Sequence, residues 1–143
     1  MAEPMAVQLV SPERILYTGE AIFVQARTLG GGDIAFLSNH APFIGALDIH
    51  PVRIRQESGP ETVVAVHGGF VEVSNNRVTI LSDIAELPEQ IDVERAQAAK
   101  AKAEEALRAD PDDEDAKAAV LRAEVRLLVA AGLASPSPAS PAH

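Results

Sequence analysis

The sequence contains no cysteine and no tryptophan. The absence of cysteine excludes disulfides, thiolate metal sites and cysteine nucleophiles. Aromatic residues make up only 3% of the chain, so a hydrophobic core has to be built from Val, Ile, Leu and Ala.

Positive charge is also scarce, with 12 Lys and Arg residues against 21 Asp and Glu residues and a formal net charge of −9. This balance argues against a nucleic-acid-binding protein, because neutralising phosphates requires clustered Lys and Arg. Hydrophobic residues form 47% of the 143 residues, which is enough for a core. The length predicts one domain, or one small domain with an appendage.

Long apolar runs are missing as well. The longest purely aliphatic run covers residues 63–66, whereas a membrane-spanning helix needs about 20 residues. Residues 1–5 lack the basic region and apolar run of a signal peptide. We therefore expect a soluble protein without direct membrane insertion.

The composition changes near Pro88. Eight of the nine glycines precede it, and all three lysines follow it. Short β-branched runs separated by turn residues predict an antiparallel β-sandwich over residues 1–88, and the Ala-, Glu- and Arg-rich part predicts a two-helix hairpin over residues 89–134. The Ser/Pro/Ala-rich residues 135–143 are predicted to be a disordered tail. The predicted strands cover residues 7–10, 22–26, 34–37, 52–56, 62–66, 70–73 and 78–81.

The hairpin has recognisable end signals. Asp92 is predicted to cap the first helix, and Gly132 to end the second. Ala96, Ala99, Ala103 and Ala106 recur at helical spacing and predict one packing stripe. Because alanines bury little area, the hairpin should be marginal alone. It is either a moving element or a pair fixed permanently to the sandwich.

No pattern indicates a catalytic or metal site. The four histidines are scattered without zinc-site spacing, and neither a Gly-x-Ser-x-Gly elbow nor a Gly-x-x-x-x-Gly-Lys phosphate loop occurs. The acidic run at residues 112–115 is interpreted as helix-capping charge. We therefore predict no catalytic residues and no metal ligands.

Several motifs together resemble one family. Ser38-Asn39-His40-Ala41-Pro42-Phe43 is followed by His67-Gly68-Gly69-Phe70-Val71-Glu72-Val73, by Val78-Thr79-Ile80-Leu81-Ser82-Asp83, and by Ile91-Asp92-Val93-Glu94-Arg95-Ala96. This series is similar to the epsilon subunit of bacterial F-type ATP synthases, over roughly residues 5–131.

The resemblance implies a non-catalytic subunit of the central rotor. Its partners would be the gamma subunit, the ring of c subunits and the alpha/beta catalytic head. It would couple proton flow to ATP synthesis, and its hairpin would extend toward the head and inhibit ATP hydrolysis. The expected location is the cytoplasmic face of the cell membrane, as a peripheral part of the complex. No cofactor would be required, and no nucleic acid would be bound.

The resemblance also assigns contact residues. Gly31, Gly32, Asp33 and His40 match the edge that faces the c-ring. Asp33 would be the acid that meets a polar c-subunit loop. Alternatively, it is an ordinary acidic residue of a turn.

The alternative function is an ATP-sensing module whose hairpin responds to nucleotide. The residues matching the family's nucleotide-binding element are Glu86, Ile91, Asp92, Arg95, Ala96, Arg122 and Arg126. Asp92 would accept from the adenine amino group and Arg95 would pair with phosphate. Lys102 stands where the family has an arginine and loses its planar geometry. In the competing interpretation, Asp92 is only a helix cap and the arginines only dock against acids.

Overall fold

The structure is a computed structural model that describes residues 3–133. Eight strands are followed by a short 3₁₀ helix at Pro88–Gln90 and two α-helices. The strands are β1 (Met5–Val10), β2 (Ile15–Ala21), β3 (Phe23–Thr28), β4 (Gly32–Leu37), β5 (Phe43–Arg55), β6 (Thr62–Ser74), β7 (Arg77–Leu81) and β8 (Ala85–Glu86). The helices are α1 (Val93–Ala109) and α2 (Glu114–Ala130).

The strands form a curled sheet in the order β2-β1-β7-β6-β5-β3-β4, with β8 added against β6. Their inward faces enclose one core, in which Phe36, Met5, Leu9, Ile54 and Ile80 are the largest fully buried side chains. The predicted fold class, a β-sandwich followed by a helical hairpin, is confirmed. The limits of the two predicted domains stay predictions, and the predicted tail, residues 135–143, lies outside the described residues.

One strand pairing departs from the antiparallel pattern. β1 lies parallel to β7, with Val7 opposite Val78 and Leu9 opposite Ile80. A parallel pair needs a long crossover, and here the whole of β2 to β6 provides it. Because this pairing joins distant parts of the chain, local turn signals did not predict it.

The strand boundaries also differ from the prediction. β2 was missed, and the two runs predicted at residues 62–66 and 70–73 are one strand that continues through Gly68 and Gly69. These glycines have φ angles of +83° and +125°. The predicted Asn75-Asn76 turn is confirmed, since both residues have positive φ between β6 and β7.

β6 has both faces covered near its start. Val64 and Val66 point into the sandwich core, whereas Val63 and Ala65 pack against α2. The second cluster joins Val63 and Ala65 to Val125 and Val129, with Ile49 and Ile91 packed against it. The hairpin therefore docks through a small apolar cluster that is separate from the main core.

The helix caps form as predicted. Asp92 accepts a hydrogen bond from the Arg95 backbone N–H (3.1 Å), and Gly132 follows α2 with φ +78°. The predicted alanine stripe is partly wrong, because Ala96 and Ala103 are buried but Ala99 and Ala106 are exposed. The two buried alanines are seven residues apart, which is the spacing of one position in a narrow seam between two helices.

Candidate functional site

A polar pocket of about 340 Å³ opens where the sandwich meets the hairpin. Its volume falls at the lower end of the range found for small-molecule sites. Two acids and two arginines face it, so these charges cancel formally. The lining residues are Glu86, Gln90, Asp92, Arg95, Ala96, Ala99 and Arg126.

The first turn of α1 forms one wall. The Asp92 cap starts the helix at this point, which places Arg95 and Ala99 four residues apart on the same face. The helix dipole gives this end partial positive character, which favours an anionic ligand. Arg95 is exposed and forms no ion pair within residues 3–133.

The opposite wall is held by Glu86 on β8. Its Oε1 accepts hydrogen bonds from Arg126 Nε of α2 (2.7 Å) and from His67 Nε2 of β6 (3.0 Å). The short β8 segment is itself anchored, because the His67 backbone N–H donates to the Ile84 carbonyl (3.1 Å). Glu86 is thus the residue that ties sandwich and hairpin together by charge.

His67 lies beneath this ion pair with only 1% of its side chain exposed. Its Nδ1 is buried and has no hydrogen-bond partner among the described residues. Burial lowers the pKa of His67 from its ordinary value, against the opposing effect of the Glu86 hydrogen bond. Arg126 and Arg122 lower the pKa further through their positive charge.

The structure brings most of the predicted nucleotide-binding residues together. Glu86, Asp92, Arg95, Ala96 and Arg126 all line the pocket. Ile91 instead packs in the apolar docking cluster. Arg122 lies one turn before Arg126 on α2 but does not line the pocket. The exposed Lys102 does not line it either.

The competing interpretation also has support in this geometry. Asp92 does cap α1, and Arg126 does dock against Glu86. Neither contact prevents a second role, since Asp92 has another carboxylate oxygen and Arg126 has further N–H groups. Whether these residues bind nucleotide stays a prediction.

Three lining or supporting residues were not found from the sequence. Gln90 accepts from the Leu87 backbone N–H (2.8 Å), next to the matched motif. Ala99 could have been found from its spacing, four residues after Arg95 on a predicted helix. For His67 no local signal existed, because its partner Glu86 is 19 residues away.

The residues predicted to face a c-ring do not share one edge. Gly31 lies in the turn before β4 and Gly32 and Asp33 begin this strand, whereas His40 follows its far end. Six strand residues separate the two ends by about 20 Å. Asp33 pairs with Arg27 (2.9 Å), and the Arg27 guanidinium lowers the pKa of Asp33. The c-ring contact stays a prediction. The residues assigned to it lie in two separate regions, one at the start of β4 and the other at His40.

His50 lies near this turn. The ring is half-buried, and its Nδ1 lies 2.9 Å from the Pro51 carbonyl oxygen. Burial lowers the pKa of His50, and its charged neighbours are Arg27, Asp33 and Asp48. It is therefore a second, half-buried histidine whose charged neighbours do not belong to the hairpin.

The outer face of the sheet carries an apolar patch, formed by Ile44, Phe70 and Leu81. Their exposed fractions are 73%, 58% and 45%. Phe70 is paired with Leu81 across β6 and β7, while Ile44 lies opposite Glu72, the next outward residue of β6. Neighbouring exposed apolar residues such as these are candidates for contact with another protein.

Residues 3–133 present no candidate metal site and no candidate membrane span. No group of three or more His, Asp or Glu side chains in this part of the chain could hold a metal ion. None of its helices is long and apolar enough to cross a membrane.

Comparison with known proteins identifies the family. Residues 4–88 match the sequence model of the ATP synthase delta/epsilon chain β-sandwich domain. A protein of Brevibacillus brevis named ATP synthase epsilon chain is 50% identical over 103 residues, which are 72% of this chain and 77% of that protein. The protein of the same name from Streptomyces griseus is 43% identical over 127 residues, covering 89% and 95%.

Solved structures share the fold. A chain in the Euglena gracilis mitochondrial ATP synthase, in a structure of OSCP, F1 and c-ring, superposes with a TM-score of 0.66. It is 22% identical, with 87% of this chain and 75% of that chain covered. A chain in the central stalk and c-ring structure of the Tetrahymena thermophila enzyme gives a TM-score of 0.51 at 19% identity, covering 62% and 70%.

The fold and the site define a β-sandwich subunit with an appended helical hairpin and a polar pocket at their junction. The sequence matches extend this class to a particular family. The chain belongs to the ATP synthase epsilon chain family and is a subunit of the F-type ATP synthase.

Proposed function

We propose that the chain is a non-catalytic regulatory subunit of the rotor, whose hairpin inhibits ATP hydrolysis when it leaves the sandwich. The sandwich would bind the gamma subunit and contact the c-ring, so that the subunit turns with the central stalk and couples proton flow to ATP synthesis. It would be a peripheral component at the cytoplasmic face of the cell membrane.

The observation that carries this proposal is the separation of the two apolar clusters. The hairpin contributes Val125 and Val129 to a small cluster with Val63 and Ala65 of β6, and none of the hairpin residues that the structure describes belongs to the sandwich core. Burying a valine contributes about 1.5–3 kcal/mol, so few contacts oppose undocking. An element that is docked through a few buried side chains can move while the rest of the fold stays intact.

Truncation of the chain before Asp92 tests the inhibitory role in the reassembled complex. We expect faster ATP hydrolysis with assembly retained, because the sandwich keeps its own core. A chain ending at Leu133 is the control and should hydrolyse ATP at the original rate. An unchanged rate after truncation before Asp92 would remove the inhibitory role and leave the subunit only structural.

A second function, ATP sensing, is favoured by the junction pocket. The pocket is lined by residues of both parts of the chain, so a ligand bound there would hold the hairpin docked. Arg95 is the cation available for phosphate, whereas Arg126 would have to share its N–H groups between phosphate and Glu86. A nucleotide bound in this way would keep the subunit in its non-inhibitory state. ATP would be a regulatory ligand, and no cofactor would be needed.

Calorimetric titration of the isolated chain with MgATP tests this sensing role. Loss of a charge-assisted hydrogen bond in Arg95→Ala should cost about 1.5–3 kcal/mol, roughly a 10- to 150-fold loss of affinity. Arg108→Ala, at the other end of α1, is the matched control and should bind as the original chain does. Absence of heat at millimolar MgATP would contradict ATP sensing.

A further inference from the structure

His67 is the buried ionisable group that the proposed function does not use. It stands on β6 with its Nε2 at 3.0 Å from Glu86 Oε1, and that same oxygen accepts from Arg126. Its Nδ1 is fully buried without a partner within residues 3–133. A buried polar atom without a partner costs free energy, so this arrangement needs an explanation.

The hydrogen bonding sets the form of the ring. A carboxylate only accepts hydrogen bonds, so the proton of the neutral ring has to be on Nε2. Nδ1 then presents a bare lone pair to the protein interior. Protonation at Nδ1 would create a buried N–H without an acceptor and a positive charge beside Arg126 and Arg122.

The position of His67 links it to the hairpin. Side chains two residues apart along a strand share a face, so the ring lies on the face of β6 that carries Val63 and Ala65. Those two residues pack against Val125 and Val129 of α2. When α2 leaves, Arg126 leaves with it and this face of β6 is exposed to water. The surroundings of the ring therefore differ between the docked and undocked states.

We propose that His67 is a positioning residue of the junction pocket: its neutral ring orients the Glu86 carboxylate to receive Arg126 and so holds the hairpin docked, and protonation of its Nδ1 releases the hairpin. This inference rests on the proposed movement of the hairpin. It adds a control of that movement by pH, independent of nucleotide.

The charged groups that face the ring come from two elements, Glu86 from β8 and Arg122 and Arg126 from α2. On β5, the residue opposite His67 is Ile49, which is uncharged. The two arginines oppose protonation, and Glu86 is already shared between the ring and Arg126.

The direction of the pH effect follows from burial. Because the pKa of His67 is lowered in the docked state, docking is most stable where the ring is neutral in both states, above the ordinary histidine pKa of about 6.5. Below that value the undocked state binds the proton first, and docking weakens until the lowered pKa is reached. Acidification therefore favours the undocked, inhibitory hairpin.

Fluorescence energy transfer on the full chain, without nucleotide, tests this inference. Because the chain has no cysteine, Glu57→Cys in the sandwich and Ala109→Cys at the end of α1, both exposed, can carry the two dyes. The ratio of undocked to docked chain should rise up to about tenfold per pH unit below 6.5, since one proton is involved.

Three variants separate positioning from packing. His67→Gln keeps an N–H donor for Glu86 but does not titrate, so the hairpin should stay docked with no change between pH 8 and pH 5.5. His67→Ala removes the donor and should increase the undocked fraction at every pH. His50→Gln is the matched control, because His50 is a half-buried histidine that faces Arg27, Asp33 and Asp48, and it should keep the original pH profile.

The inference is overturned if the original chain shows a flat profile, or if His67→Gln keeps the original pH dependence. A measurement independent of the variants is the ¹⁵N spectrum of the His67 ring. We expect the Nε2-protonated tautomer in the docked chain, and a ring that titrates with its ordinary pKa while docked would also contradict the inference.

Failure of the proposed function would look different. Val129→Asp places a charge in the docking cluster and should undock the hairpin at every pH. If even this variant gives the docked signal, the hairpin does not move and the regulatory proposal fails. If Val129→Asp responds and the original chain is flat across pH, only the role of His67 fails.

Discussion

At the scale of single residues, Gly69 shows how a neighbouring strand can restrict a position to glycine. Its φ angle is +125°, and a Cβ atom at this position would collide with the carbonyl oxygen of Leu81. Gly30 also has positive φ, +78°, but a Cβ atom there would meet no other group. Alanine substitutions at these two glycines therefore distinguish the cost of backbone strain from the cost of a steric collision.

Gly69→Ala should lower the free energy of unfolding by about 2–6 kcal/mol, because strain and overpacking add. Gly30→Ala carries only the cost of positive φ, about 1–2 kcal/mol. Urea unfolding followed by circular dichroism measures both. Equal losses in the two variants would show that the contact with Leu81 does not constrain position 69.

The features that could be predicted at this scale are those set by interactions between residues close together in the sequence, such as turns and helix caps. Asn75 and Asn76 indicated their turn because asparagine tolerates positive φ, and Asp92 indicated its helix because its carboxylate reaches a nearby N–H. The contact between His67 and Glu86 could not be predicted in this way. It depends on where β8 joins β6, which neither residue encodes locally.

At the scale of elements, whether a strand could be predicted from the sequence depended on how many of its faces are buried. The run at residues 63–66 is apolar throughout because one face meets the core and the other meets α2. β2 was missed because it lies at the edge of the sheet and exposes Ile15, Thr18 and Glu20, which weakens its alternation. The buried seam of α1 is narrower than an alanine pattern alone suggests.

Val129→Ala should weaken docking of the hairpin by about 1–3 kcal/mol, since it removes two buried methyl groups and leaves a small cavity. Val129 is 0% exposed, whereas Leu121 on the same helix is 38% exposed. Leu121→Ala is therefore the control and should change docking little. Amide hydrogen exchange of α1 and α2 reports the difference, and equal exchange in both variants would place the docking contact elsewhere.

At the scale of the whole molecule, the two-part architecture could be predicted, and the site at its junction only in part. The change of composition near Pro88 indicated a sandwich and a hairpin. Five of the seven predicted nucleotide-binding residues meet in one pocket. The four predicted c-ring residues do not meet, because the loop and His40 lie at opposite ends of β4, and a motif match carries no information on which end of a strand a residue occupies.

The apolar patch of Ile44, Phe70 and Leu81 is the surface on which we expect the gamma subunit. Phe70→Asp should reduce co-purification with gamma, because a charge would be buried in an apolar contact. Ile15→Asp on β2, also an exposed apolar residue, is the control and should leave co-purification intact. Undiminished recovery of gamma with Phe70→Asp would assign the interface to another surface.

The parallel pairing of β1 with β7 has a consequence for synthesis of the protein. β1 is translated first, yet one of its two neighbouring strands begins at Arg77. Domains generally fold as units during synthesis, and β1 lacks its second neighbouring strand until β7 has emerged. The sheet can therefore close only after β7 has emerged, and both α-helices follow β7 in the chain. The helices therefore emerge from the ribosome last, after every strand of the sheet onto which they pack.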